Sequence, residues 1–271
     1  IKKLTNYIKK IFKDKNYPIM IDQEGGKINR LNKLISFDTL TSEYFGDLYG
    51  KDRKYFNIIY KLFIDKTSYV LSQLGININT VPVLDLNVKG SSNVIGNRSF
   101  SKNPKIVSKI GDICISNFKE NSIGTVIKHI PGHGLAKVDS HHLTPIINKS
   151  INYLKKNDFK AFEQKNSYFA MTAHIVFNKI DPKNTVTHSK QMINIIRKQI
   201  KFKNLLISDD LSMKSLKYSV KQNTIKAFNA GCNLVLHCNG NIKEMNIVAE
   251  NSPKVSRFIQ KKTSEFYKIL S

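Results

Sequence analysis

At 271 residues, 41% of them hydrophobic, the chain is long enough to bury a substantial core as one large α/β domain spanning 1–271, without disulfides or metals as staples. Its three cysteines, Cys114, Cys232 and Cys238, are odd in number and lack CxxC spacing, which excludes a disulfide framework and a zinc knuckle and fits a reducing, cytoplasmic setting. The formal charge of +24 would suit a nucleic-acid partner, but the lysines are scattered and no RNP-like, zinc-finger or basic-region motif accompanies them, so a basic nucleic-acid-binding protein stands only as the alternative from another class.

The opening IKKLTNYIKKIFKDK reads as an amphipathic helix, its charges spread too evenly for a signal peptide, and no apolar run approaches the roughly 20 residues that span a bilayer. Short apolar runs then recur: YPIMID at 17–22, INTVPVLDL at 78–86, IGTVIKH at 123–129, YFAMTAHIV at 168–176, LLISDD at 205–210 and NLVLHC at 233–238. Runs this apolar predict strands buried on both faces, as in a parallel sheet covered by helices. Amphipathic stretches lie between them at 55–74, 105–121, 153–166, 189–201 and 220–230. A further strand is expected within LTPIIN at 143–148.

Polar residues close each run: Asp22-Gln23-Glu24, Asp85, Lys128-His129, His174, Ser208-Asp209-Asp210 and His237 to Asn239. A (β/α)8 barrel gathers the C-terminal ends of all its strands at one mouth, whereas a doubly wound sheet concentrates chemistry at one switch point, so the pattern predicts a barrel. Neither GxGxxG nor GxxxxGK[ST] follows a strand, which removes nucleotide-phosphate readings.

The segment KHIPGHGLAKVDSHH, Lys128 to His142, holds four of the seven histidines. Pro131, Gly132 and Gly134 exclude a helix at its start, so His129 and His133 are not a helical metal-ligand pair. Asp139 stands two positions before His141, close enough in a turn for its carboxylate to fix the imidazole tautomer while the other ring nitrogen moves a proton. Taken alone, such a pair is also what a solvated loop carries.

Together, IDQEGGKINRL, PVLDLN, SSNVIGNRSFS, KHIPGHGLAKVDSHH, MTAHIVF, SDDLSM and AGCNLVL resemble, in order and spacing, the bacterial β-N-acetylhexosaminidases of glycoside hydrolase family 3, the NagZ type. The resemblance implies a TIM-like (β/α)8 barrel that releases terminal N-acetylglucosamine with retention, through a covalent glycosyl-enzyme. It implies Asp209 as nucleophile, His141 as general acid/base and Asp139 as its partner, with Asp22, Arg30, Arg98, Lys128 and His129 holding the sugar. It implies a cytoplasmic, monomeric enzyme that needs no metal or organic cofactor and acts on peptidoglycan-recycling fragments, N-acetylglucosamine joined to anhydro-muramic acid peptides. Members of the family begin with a barrel strand before the helix that precedes IDQEGG, so this chain is expected to lack its first β-strand and to leave an unpaired edge.

A histidine donor suits this chemistry, because an unperturbed imidazole near pKa 6.5 is partly protonated at neutral pH, whereas a carboxyl needs burial to reach that range. Gly132 and Gly134 are expected to act as hinges that let His141 swing in over bound substrate. Asp210, His142 and His174 read as structural or rim residues, and Glu24 as a group that orients neighbouring backbone. A neutral histidine would also tolerate incoming phosphate, so a phosphorylase of the same family is the second enzymatic reading.

Overall fold

The computed structural model describes residues 1–270. Six parallel strands form one curled sheet, in chain order across it: β1 (Met20–Ile21), β2 (Ile78–Asn79), β3 (Gly124–Ile130), β4 (Phe169–Thr172), β5 (Leu205–Asp210) and β6 (Leu234–Leu236). Each pairs in parallel with the next, and every connection between them contains at least one helix, the β-α-β arrangement that packs helices onto a twisted sheet. The helices are α1 (Lys2–Ile11), α2 (Ser42–Lys51), α3 (Arg53–Gln73), α4 (Pro104–Glu120), α5 (Ile151–Lys156), α6 (Asp158–Phe162), α7 (Lys190–Lys198), α8 (Val220–Ala230), α9 (Ile242–Glu250) and α10 (Arg257–Tyr267). Local sequence sets their starts: Thr41, Asp52, Asn103, Ser189 and Ser219 each accept a backbone N–H of the first turn, with Pro104 opening α4. None of the helices among the described residues is long and apolar enough to cross a membrane.

The period of two along each strand sorts side chains between two cores. Ile78, Val126, Phe169, Met171, Leu205 and Ile207 point inward and meet Phe266 of α10, which is fully buried. Ile127, Ala170 and Leu206 point outward into the larger core beneath the helices. Gly124 lets α10 in, since a Cβ there would lie 2.5 Å from the Phe266 ring. The C-terminal helix thus fills the lumen at the ends where the strands begin.

The sheet is open. β1 pairs only with β2 and β6 only with β5 among the described residues, and an apolar groove of about 1130 Å³ runs between these two edges, walled by Met20, Leu234, Leu236, Ile259 and Tyr267. The expected unpaired edge is present, in a curled sheet of six strands where a (β/α)8 barrel without its first strand would have seven. Three boundaries differ from expectation. The strand placed within LTPIIN does not join the sheet: Ile146–Ile147 pairs with Val176–Phe177 outside it, as a separate two-stranded ribbon. The run at 78–86 is a strand for two residues only, since Pro82 removes a donor and the chain continues as coil held by the Leu84 N–H donating to the Lys128 carbonyl. The helix at 153–166 is two, broken at Asn157, whose ψ of −96° is not helical.

Candidate active site

The same inward parity that builds the apolar lumen continues into polar residues at the strand ends. Asp22 follows Met20, Thr80 follows Ile78, Lys128 follows Val126, and Asp209 follows Leu205 and Ile207, each at an even step. Asp22, Thr80, Lys128 and Asp209 line one cavity of about 270 Å³, with His129 and His141 on its wall. Arg30, Glu24 and Arg98 line it as well.

Lys128 is almost wholly buried, at 2% exposure, and its ammonium binds three oxygens: Asp22 Oδ1 at 2.9 Å, Thr80 Oγ1 at 2.8 Å and Glu24 Oε1 at 2.6 Å. Thr80 also donates to Asp22. Arg98 grips Glu24 with a two-pronged bond, Nε to Oε2 at 2.8 Å and Nη2 to Oε1 at 2.9 Å, and its Nη1 donates to the Val94 carbonyl. Burial would raise the Glu24 carboxyl, but Lys128 and Arg98 outweigh it and bring it down to about 2. The same contest holds Asp22 well below the usual carboxylate range, and keeps Lys128 charged despite its burial. Arg30 is the outlier, more than half exposed, with Nη2 3.9 Å from Asp22 Oδ2.

His129 is fixed from behind. Its Nδ1 lies 2.6 Å from Asp85 Oδ2, and Asp85 also accepts the backbone N–H groups of His129 and His133. The Lys128–His129 and Ile130–Pro131 peptide bonds are cis. A carboxylate behind an imidazole sets its tautomer, so Nε2 of His129 is the nitrogen left to face the cavity.

Asp209, the last residue but one of β5, lines the cavity. Burial pushes its carboxyl up, yet the imidazoles of His174 and His129, the Asp210 N–H at 2.8 Å and the Lys128 ammonium hold it below the ordinary value. It is a half-buried carboxylate held in its ionised form. Asp210 turns away: its oxygens accept from Ser212 and from the Cys238 N–H, shaping the following turn, as the structural reading expects. His174 is buried beneath, between Thr187 Oγ1 and the Asp210 carbonyl.

His141 stands at the rim with its side chain 63% exposed. Its Nδ1 is 2.8 Å from Asp139 Oδ1, and the same oxygen accepts the His141 backbone N–H at 2.8 Å. Asp139 itself lies outside the cavity lining, behind its partner. The glycines of this loop are closely packed. Gly134 lies against the Leu86 backbone so closely that any Cβ would overlap the carbonyl oxygen, and Gly132, at φ +136°, packs on Asp158. Both are anchor points in buried backbone, and the exposed part of the loop is Lys137 to Leu143, with Ser140 held in by the His133 ring.

Three groups escaped the sequence reading: Glu24 as the shared counter-charge of Lys128 and Arg98, Thr80, and Asp85 as the carboxylate behind His129. Thr80 was signalled by the inward parity from Ile78; the other two depend on contacts across the sheet. His237, one of the strand-end residues, pairs with Glu244 and stays outside the cavity.

An open parallel barrel whose strand ends surround a half-buried carboxylate and face a histidine–aspartate pair belongs to the barrel-type α/β domains that carry their reaction site at that end. The chain belongs to the glycosyl hydrolase family 3 N-terminal domain family, whose model matches residues 1–262. It is 30% identical over 230 residues to a beta-hexosaminidase of Nitrosomonas eutropha, covering 82% of this chain and 64% of that protein. To a beta-hexosaminidase of Neisseria meningitidis serogroup C it is 30% identical over 249 residues, covering 88% and 67%. The chain therefore spans about two thirds of the length of the curated relatives it matches. Among solved structures it superposes on native NagZ from Neisseria gonorrhoeae with a TM-score of 0.86 at 27% identity, over 98% of this chain and 77% of that one. The same protein in complex with N-trifluoroacetyl-D-glucosamine gives 0.86 at 26% identity, over 98% and 78%.

Proposed function

We propose that this chain is the catalytic barrel of a retaining exo-β-N-acetylglucosaminidase. The observation that carries the reading is the pairing, on one cavity, of a half-buried carboxylate kept ionised, Asp209, with the Asp139-supported imidazole of His141. Retaining hydrolysis needs a nucleophile beneath the anomeric carbon and a proton donor on the departing oxygen. In the first step Asp209 attacks the anomeric carbon, forming a glycosyl-enzyme ester, while His141 as imidazolium gives its proton to the leaving oxygen. In the second step neutral His141 takes a proton from water, which attacks the same carbon and releases Asp209. Asp139 stabilises the charged imidazolium in both.

Asp22, Arg30, Arg98, Lys128 and His129 offer the charged hydrogen bonds that hydroxyls and an acetamido group require. The relatives named beta-hexosaminidase, and the neighbour solved with an N-acylated glucosamine, support that sugar. Within this reading the substrate is a peptidoglycan-recycling fragment, N-acetylglucosamine on anhydro-muramic acid bearing peptide, met as a monomer in the cytoplasm.

The test is hydrolysis of an aryl N-acetyl-β-glucosaminide by the parent, Asp209→Ala and His141→Ala. Both variants lose activity, the His141 variant by about 10²- to 10⁴-fold in kcat; full activity in either overturns that residue's role. Product analysis with and without phosphate separates hydrolysis from phosphorolysis, through N-acetylglucosamine 1-phosphate.

A further inference from the structure

The bonds of the Asp139–His141 pair are internal to its own loop. His141 Nδ1 and the His141 backbone N–H both meet Asp139 Oδ1, each at 2.8 Å. They fix the imidazole against its carboxylate and leave open what places the pair over the cavity. General acid catalysis depends on that placement, since a misplacement of about 1 Å costs on the order of 10²-fold in rate.

Ser140, between the two, supplies an external tie. From Lys137 to Leu143 it alone is buried, at 4% exposure. Its Oγ lies 3.0 Å from Nε2 of His133, which is 3% exposed. Among the described residues it is the one side chain of 137–143 with a hydrogen bond outside that segment. The backbone on either side is anchored too: the Ser92 N–H donates to the Ala136 carbonyl, and Thr144 Oγ1 to the Ser215 carbonyl, both at 2.7 Å.

The far end of the tie is rigid. The His133 backbone N–H donates to Asp85 Oδ1 at 2.6 Å, and the other oxygen of this buried carboxylate meets His129 Nδ1 at 2.6 Å. The His129 and His133 rings pack edge to face with centroids 5.6 Å apart. Burial, with the charge of His129, lowers the His133 imidazole to about 4, so at neutral pH the ring is uncharged and its bond to the hydroxyl is a neutral one.

We propose that Ser140 is a positioning residue for general acid catalysis, its bond to His133 setting where the Asp139–His141 pair stands over the cavity that Asp209 lines. The catalytic part of this inference rests on the glycosidase reading; the tether itself does not.

The experiment compares kcat/KM for two aryl N-acetyl-β-glucosaminides, one releasing 2,4-dinitrophenolate, which departs without a proton, and one releasing phenol, which needs one. In Ser140→Ala the phenyl substrate loses about 10- to 100-fold and the dinitrophenyl substrate less than about threefold. Ser140→Thr, which keeps the hydroxyl, restores most of the loss, and adding Ser140→Ala to His133→Phe costs little further, because the two side chains act as one pair. Equal losses on both substrates, or no loss on the phenyl substrate, overturn the positioning role. Amide hydrogen exchange at His141, His142 and Leu143 is followed without substrate. Ser140→Ala speeds it by about fivefold or more while the β5 amides keep the parent rate, and unchanged exchange in the loop overturns the tether. A parent that cleaves neither glycoside removes the glycosidase reading and the catalytic role with it, and the exchange result still decides the tether.

Discussion

Asp158 offers a measurement that isolates one buried charge. It opens α6, is 1% exposed, and neither carboxyl oxygen has a hydrogen-bond partner, while its Cβ packs against Gly132 of the loop after β3. Burial, with a contribution from Asp85, raises its carboxyl from 3.8 to about 7. Below the unfolded value both states hold the proton and the residue costs nothing. As pH rises from 3.8 towards about 7 the unfolded chain releases the proton and the folded chain keeps it, so stability falls by about 1.36 kcal/mol per unit. Above about 7 both states are ionised and the whole penalty, on the order of 4 kcal/mol, is in place. Asp158→Asn has nearly the same shape and no charge to lose. Urea unfolding followed by circular dichroism therefore shows parent and variant close together near pH 4, with the variant gaining on the order of 4 kcal/mol relative to the parent by about pH 8. A difference between the two proteins that does not change with pH refutes the reasoning.

Glu24→Gln leaves Lys128 and Arg98 buried with less counter-charge; we expect a loss of about 3–5 kcal/mol in stability at neutral pH and a raised KM, and wild-type urea midpoints in the variant contradict this. Because the folded Glu24 carboxyl is depressed to about 2, its stabilisation is present above about 4.5 and lost as pH falls towards 2, so the variant's deficit shrinks in acid. Asp209, held below the ordinary carboxylate value, places the acid limb of kcat/KM below the usual range for a free carboxylate, and a pH–rate profile with an acid limb raised above it removes that assignment. Phe266→Ala empties the lumen core and costs about 3–5 kcal/mol in thermal or urea unfolding; a loss under 1 kcal/mol, about that of an ordinary surface change, shows that α10 does not hold the strands.

Much of this was legible in the residues. The runs at 123–129, 168–176 and 205–210 are apolar on both parities because both sheet faces are covered, and all three became sheet strands. Asp22, Arg30, Arg98, Lys128, His129, His141 and Asp209 stood out as charges or imidazoles in the quoted motifs, most of them at strand ends, and they surround one cavity. What stayed hidden depends on distance in space. Nothing local distinguishes Glu24 from any acid after a strand; its meaning comes from Arg98, 74 positions away, and from Lys128. LTPIIN has the composition of a strand, yet Ile146 is exposed and its partner is Val176, a choice made by the path of the preceding loop and invisible in propensity. The packing of Gly132 and Gly134 was hidden for a similar reason, since a glycine required by close backbone approach and one required by motion look identical in a sequence.

The Lys128 ammonium does more than balance charge. It is the common node between the ends of β1 and β3 and the coil after β2, through Asp22, Glu24 and Thr80. A guest hydroxyl that takes one of those bonds exchanges an internal tether for an external one. Recognition in this cavity and cohesion of the strand tips draw on one set of contacts, so ligand occupancy and the rigidity of the mouth are thermodynamically linked, and each is a readout of the other.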